Sequence, residues 1–210
     1  MKPDFVPQRP RLVAIVGGSG SGKTWLATEL QFAFGKECAR LCLDHFYRDC
    51  SHLSAEQRAR INFDHPRAID WPLVEHVLGR CVRGESALVP KYDFAQHRRL
   101  PEGIWWQPKP LVLVEGLWVL HRPALRGRFD LRIFLECTEQ VRFERRLRRD
   151  VVERARTPDS VSQQFRRTVV PMHERYVAPQ ARGADVRLSA PVSIDQLTEL
   201  IERLRTSLVE

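Results

Sequence analysis

Apolar residues fall along this chain in two rhythms. Compact runs at 11–16 (RLVAIV), 39–43 (ARLCL), 111–114 (LVLV) and 131–135 (LRIFL) show almost no polar alternation. That is the pattern of strands buried on both faces, and a shorter run at 186–188 predicts a last strand. Between these runs the spacing changes to three and four. Leu26, Leu30 and Phe34 line one helical face. Leu73, Val74, Val77 and Leu78 line another behind a capping Asp70, with a stop expected near Gly79 or Gly84. Ser54 followed by Gln57, and Ser193 followed by Gln196, have the capping-box spacing that opens a short polar helix and a terminal one. An arginine-rich helix is predicted after 131–135, then a break at Thr157 and Pro158. A further helix runs from Asp159 towards Tyr176, with Pro171 in or near a kink. Residues 87–106 keep neither rhythm: the β-prone pieces ALV, YDF and IWW alternate with polar and proline turns, as in a small antiparallel hairpin added to a core.

Buried strands alternating with helices predict an α/β fold around a parallel sheet. The expected organisation is a disordered lead at 1–10 and one domain at 11–208, with mobile additions at 84–108 and 145–165. Composition agrees: 43% hydrophobic and 29% charged residues suit a folded, water-soluble domain. Runs such as 111–114 are far too short to cross a bilayer. The first ten residues hold three prolines and no apolar segment of a secretory signal. Five scattered cysteines (Cys38, Cys42, Cys50, Cys81, Cys137) without a Cys-x-x-Cys pair argue against a disulfide framework or zinc site, and for reduced thiols in the cytoplasm. The formal charge of +8 suits nucleic acid and, equally, a polyphosphate site. It is concentrated at 142–156, where seven arginines are only partly offset by Glu144, Asp150 and Glu153.

Specific chemistry enters where the first strand stops. Gly17, Gly18, Ser19, Gly20, Ser21, Gly22, Lys23 and Thr24 match G-x-x-x-x-G-K-[ST] between a predicted strand and a predicted helix. Glycines let backbone N–H groups turn inward around phosphate oxygens, and the helix N-terminus adds its positive end. Lys23 would reach the outer phosphates and the Thr24 hydroxyl a Mg²⁺ ion; the alternative is a flexible glycine-rich turn. Glu115 ends the run LVLVEG and Asp44 ends ARLCL. Both are thereby placed at the carboxyl edge of a parallel sheet, where ligands bind. Glu115 is the metal-side acid of this reading, and Asp44 the carboxylate that takes an acceptor's proton. His45 beside its aromatic neighbours is more simply a packing residue.

A longer ordered set follows: DHFYR at 44–48, NFDHP at 62–66, Tyr92, Asp93 and Phe94 with His97, VEG at 114–116, the arginine block with Asp150, Glu153, Arg154 and Arg156, then Gln164, Val170 with Pro171, and Ala184 with Asp185. With it the chain resembles the uridine (uridine–cytidine) kinase branch of the phosphoribulokinase/uridine kinase family over residues 11–190. The resemblance implies a three-layer P-loop NTPase fold with a five-stranded parallel sheet, a β-hairpin that closes over a nucleoside, and an arginine-bearing lid. It implies ATP and Mg²⁺, and phosphorylation of the 5′-hydroxyl of uridine or cytidine. Asp44 would be the base, with Thr24 and Glu115 near Mg²⁺ and Lys23, Arg149 and Arg154 acting on the transferred group. Asp64 would hold the ribose hydroxyls. Tyr92, Phe94 and His97 would surround the base, Tyr47 and Phe63 belong to the same substrate set, and Arg146, Arg156 and Gln164 would face substrate or phosphates. Related enzymes suggest a homo-oligomer; neither nucleic acid nor membrane is an expected partner.

The chain departs from that branch in places. Ala155 stands where glycine is usual between two lid arginines, Phe165 where tyrosine is usual, and Lys109 with Pro110 where Ala-Asp is usual; Trp71, Trp105 and Trp106 are bulkier than expected. Two other readings remain open. One is a different small acceptor: a phosphopentose, for which Arg98 and Arg99 would supply a cationic subsite, or pantothenate, or another nucleoside. The other is a nucleotide- or RNA-binding regulator with a non-catalytic P-loop. For the arginine block itself the choices are a solvated face, a track for nucleic acid, or a lid of guanidinium forks over a transferring phosphoryl group. No nucleic-acid motif accompanies it, and the P-loop favours the lid.

Overall fold

The computed structural model describes residues 9–94 and 96–209. Its first strand, β1 (Arg11–Gly17), sends Leu12, Ala14 and Val16 into one hydrophobic cluster and Val13 and Ile15 into another. Burial on both faces is why the run carries no polar alternation. Next come α1 (Lys23–Phe34), the edge strand β2 (Cys38–Cys42), the short α2 (Ala55–Ala59) and α3 (Trp71–Val82). The capping signals act as expected. Ser54 Oγ accepts from Gln57 N–H while Gln57 Oε1 accepts from Ser54 N–H, and Asp70 accepts from Leu73 N–H.

Residues 87–106 form two nested antiparallel ribbons. β3 (Ala87–Val89) pairs with β6 (Ile104–Trp106), and inside them β4 (Tyr92–Asp93) pairs with β5 (Arg98–Arg99). The chain then returns to the sheet with β7 (Leu111–Gly116), passes α4 (Pro123–Arg126), and enters β8 (Leu131–Glu136) and α5 (Glu139–Arg154). The helix predicted from Asp159 to Tyr176 proves composite. It comprises α6 (Pro158–Gln164), a π-type turn at Phe165–Val169, α7 (Val170–Met172) carrying Pro171, a second π-type turn at His173–Val177, and a 3₁₀ stretch at Ala178–Gly183. The widened turns on either side of Pro171 let the helical path continue past a residue with no N–H to donate. β9 (Val186–Ser189) and α8 (Ile194–Val209) complete the chain.

The five long strands make one parallel sheet in the order β2-β7-β1-β8-β9. Leu26 and Leu30 of α1 and Leu200 and Leu204 of α8 cover one face. Val74, Val77 and Leu78 of α3, with residues 117–120, cover the other. This is the expected three-layer α/β architecture. Of the lead expected at 1–10, residues 1–8 lie outside the described residues; Pro10 is buried and Arg9 pairs with Asp130.

Candidate active site

The loop after β1 is shaped by what packs beneath it. Gly20 and Gly22 adopt φ of 80° and 101°, which residues with a Cβ rarely take. A Cβ on Gly20 would stand 2.4 Å from the Arg142 carbonyl oxygen, so the loop rests directly on the backbone of α5. Arg145 donates to Ser21 O at 3.2 Å from the same helix. α1 starts at Lys23 with no side chain capping its first N–H groups, leaving those donors and the dipole end to an anion. Lys23 Nζ donates to Gly18 O at 2.9 Å. Burial lowers its pKa, while Glu115 and Asp44 push the other way.

Asp44, in the 3₁₀ turn Leu43–Phe46 directly after β2, and Glu115, in the adjacent strand β7, border the same cavity as the loop, about 700 Å³ in volume. Asp44 Oδ1 is buried and has no hydrogen-bond partner among the described residues. Burial raises the Asp44 pKa; Lys23 opposes the rise and Glu115 adds to it. Thr24 Oγ1 lies 3.1 and 3.2 Å from the two Glu115 carboxylate oxygens. This is a pair of hard oxygen donors, and no cluster of three or more His, Cys, Asp or Glu occurs among the described residues. The pair therefore fits a cation that also takes phosphate oxygens and water, as Mg²⁺ does. One partner was not foreseen: Arg40, inside the apolar run of β2, donates to Glu115 Oε1.

The other end of the cavity is aromatic. Tyr47 stands 5.2 Å, ring centre to ring centre, from both Phe63 and Tyr92, and Tyr92 stands 5.4 Å from Phe94. His97 stacks on Phe63 at 4.5 Å. Burial, then Arg154 and Arg156, lower the His97 pKa, so at neutral pH the ring offers one donor and one acceptor. Asp64 is buried between this end and the loop, with Arg146 at 3.4 Å. Arg98 and Arg99 do not line the cavity. Arg99 instead bridges Asp70 and the Tyr47 carbonyl at 3.2 and 2.7 Å.

The arginine block is not a uniformly solvated face. Arg142 and Arg146 are buried, and Asp150 is fully so. Around Asp150 gather Arg146 at 3.4 Å, Arg149 at 2.8 Å, and Arg154 and Arg156 at 3.5 Å each. Arg146 also donates to Ser19 Oγ and Gln164 Oε1, both at 3.0 Å. Of the departures noted in the sequence, Ala155 takes the left-handed conformation (φ 50°) that glycine adopts freely. Phe165 is buried 5.1 Å from Phe143 and 5.8 Å below the Arg142 guanidinium, where a tyrosine hydroxyl would need its own partner. Trp71 is buried and donates to Pro66 O at 2.8 Å.

The cavity lining thus brings together Ser19, Gly20, Gly22, Lys23, Thr24, Asp44, Tyr47, Phe63, Asp64, Tyr92, Phe94, His97, Glu115, Arg146, Arg149, Arg154, Arg156 and Gln164. Gly17, Gly18 and Ser21 form the loop behind that lining. Ile61, Leu117, Arg145 and Glu153 also border the space. The first two carry no chemical signal in a sequence, and the last two are indistinguishable from their charged neighbours.

Three comparisons bear on this arrangement. The sequence model of the Phosphoribulokinase / Uridine kinase family matches residues 12–195. The uridine kinase of Chloroflexus aurantiacus is 40% identical over 198 residues, covering 92% of this chain and 95% of that protein. The uridine kinase of Clostridium perfringens is 39% identical over 180 residues, covering 85% and 86%. Among solved structures, phosphoribulokinase from Rhodobacter spheroides superposes with a TM-score of 0.65 at 16% identity, covering 87% of this chain and 70% of that one, a likeness of fold.

Proposed function

Since this chain belongs to the phosphoribulokinase/uridine kinase family, we propose that it transfers the γ-phosphoryl group of ATP to the 5′-hydroxyl of a pyrimidine nucleoside, uridine or cytidine. The observation that carries the acceptor side is Asp44, which borders the cavity shared by the P-loop and the aromatic pocket and whose buried Oδ1 has no hydrogen-bond partner among the described residues. The nucleoside base lies among Tyr47, Phe63, Tyr92, Phe94 and His97, and Asp64 accepts from the ribose hydroxyls. Aromatic rings grip a flat base at little entropic cost. Asp44 takes the proton of the 5′-hydroxyl as that oxygen attacks the γ-phosphorus. The bond to the β–γ bridging oxygen breaks and ADP leaves. Lys23 and the guanidinium groups of Arg149 and Arg154 offset the charge that develops on the phosphoryl oxygens. Thr24 and Glu115 would hold Mg²⁺, which when bound neutralises phosphate charge.

Two features support a nucleoside over a phosphopentose. The cavity end beyond Asp44 is walled by rings, and Arg99, a candidate for the phosphate subsite, is engaged by Asp70. ADP release measured across uridine, cytidine, ribulose phosphate and pantothenate tests the assignment, with the two nucleosides expected to lead. Turnover on the phosphopentose alone would overturn it. Asp44→Asn is expected to lower turnover by about 10²–10⁴-fold while ADP still binds, and near-normal turnover would remove Asp44 from the role of base.

A further inference from the structure

Glu115 is almost wholly buried and held from two sides. From α1 the Thr24 hydroxyl donates to it, and from β2 the Arg40 guanidinium does. Register explains the reach: Arg40 pairs with Leu113 and Cys42 with Glu115, so Arg40 sits one pleat below the carboxylate, on the same side of the sheet. The second arm of its fork donates to Thr28 Oγ1 at 3.1 Å, and Thr28 Oγ1 donates to Thr24 O at 2.8 Å. Thr24, Glu115, Arg40 and Thr28 therefore close a ring of hydrogen bonds at the foot of the phosphate loop.

A fixed cation on this carboxylate has a consequence for any second cation. The guanidinium occupies a lone pair on Oε1 and cancels much of the charge that would attract a metal ion. Lys23 lines the same cavity as this carboxylate. Asp44, Asp64 and Glu153 are the other carboxylates lining that cavity, against Lys23, Arg145, Arg146, Arg149, Arg154 and Arg156. Six cationic side chains thus face four carboxylates in the lining, with Arg40 behind Glu115 in addition. A divalent ion is then drawn in mainly by the phosphates it arrives with.

We propose that Arg40 is a positioning residue: it fixes the Glu115 carboxylate beside Thr24 and, through its charge, raises the Mg²⁺ concentration that the nucleotide site requires. The proposal rests on the reading of Thr24 and Glu115 as the metal side. Arg40→Met removes the charge and keeps the length, and Arg40→Lys keeps the charge. Should the methionine variant fail to fold, Arg40→Leu puts a plain apolar side chain at the same strand position. ADP binding is titrated by calorimetry at stepped Mg²⁺, with no acceptor present, on the full chain. In Arg40→Met the Mg²⁺ concentration giving half-maximal ADP affinity is expected to fall about tenfold, as for removal of one neighbouring charge from a partly screened site. In Arg40→Lys it should stay within about twofold. An unchanged or higher half-point in Arg40→Met, or an equal fall in both variants, overturns the proposal. If the unaltered protein binds ADP without regard to Mg²⁺, the metal-side reading itself fails, a distinct result.

Discussion

At the residue scale, Asp44 shows what a buried carboxylate on the cavity wall costs the fold. Burial raises its pKa above the ordinary value, so the folded chain binds this proton more readily than the unfolded chain. Stability therefore falls as pH rises from the unfolded-state pKa through the folded one, and at neutral pH the ionised carboxylate is a net burden. Asp44→Asn should accordingly melt at a higher temperature than the parent at pH 7, and the gain should vanish at a pH below both pKa values. A lower melting temperature at pH 7 would contradict the burial argument. With Asp44 as the proposed base, the acid limb of the turnover profile is expected above the range of an unperturbed aspartate. The place of Asp44 on the cavity was legible because it follows an apolar run, and the glycine-rich turn at 17–24 because its spacing matches the phosphate-loop pattern. Arg40 was not, because a lone arginine inside a strand looks like an edge residue until the register brings it under Glu115.

At the scale of the element, α5 does two jobs that its sequence shows only in part. Arginines at spacings of three and four announce a cationic helix, yet nothing in the sequence says which are buried. The answer depends on Asp150, fully enclosed and ringed by four guanidinium groups. Two of the four come from beyond or at the helix end, so the ring also ties the segment after α5 back to the helix. Asp150→Asn leaves those cations facing one another. It is expected to cost about 2–3 kcal/mol of stability, less than for a fully enclosed pair because three of the four guanidiniums reach water, and to lower turnover with little change in ADP affinity. Chemical denaturation and single-turnover rates would check both, and a variant as stable as the parent would remove Asp150 from this role. The ribbons at 87–106 were legible in kind, but their nesting was not, because turn signals fix hairpins and not which strand of one pairs with which of another.

At the scale of the whole molecule, three parts of the fold wall one cavity: the carboxyl edge of the sheet, the paired ribbons, and the arginine segment. Strand order cannot be read from composition or periodicity, and only the order β2-β7-β1-β8-β9 explains why Asp44 and Glu115, far apart in sequence, are neighbours. Because nucleoside and nucleotide would share these walls, ADP and uridine together should raise the melting temperature by more than the sum of their separate effects, each set by mass action. A merely additive shift would mean that the two ends of the cavity are independent. The close seat of Gly20 on the Arg142 carbonyl has a kinetic consequence. The loop at 17–24 and the first turn of α5 are in direct contact, so a movement of the arginine segment that spares this contact would pivot later, and the left-handed Ala155 is the first residue past the helix. Motion there would open the acceptor end of the cavity without disturbing the seat of the loop on α5.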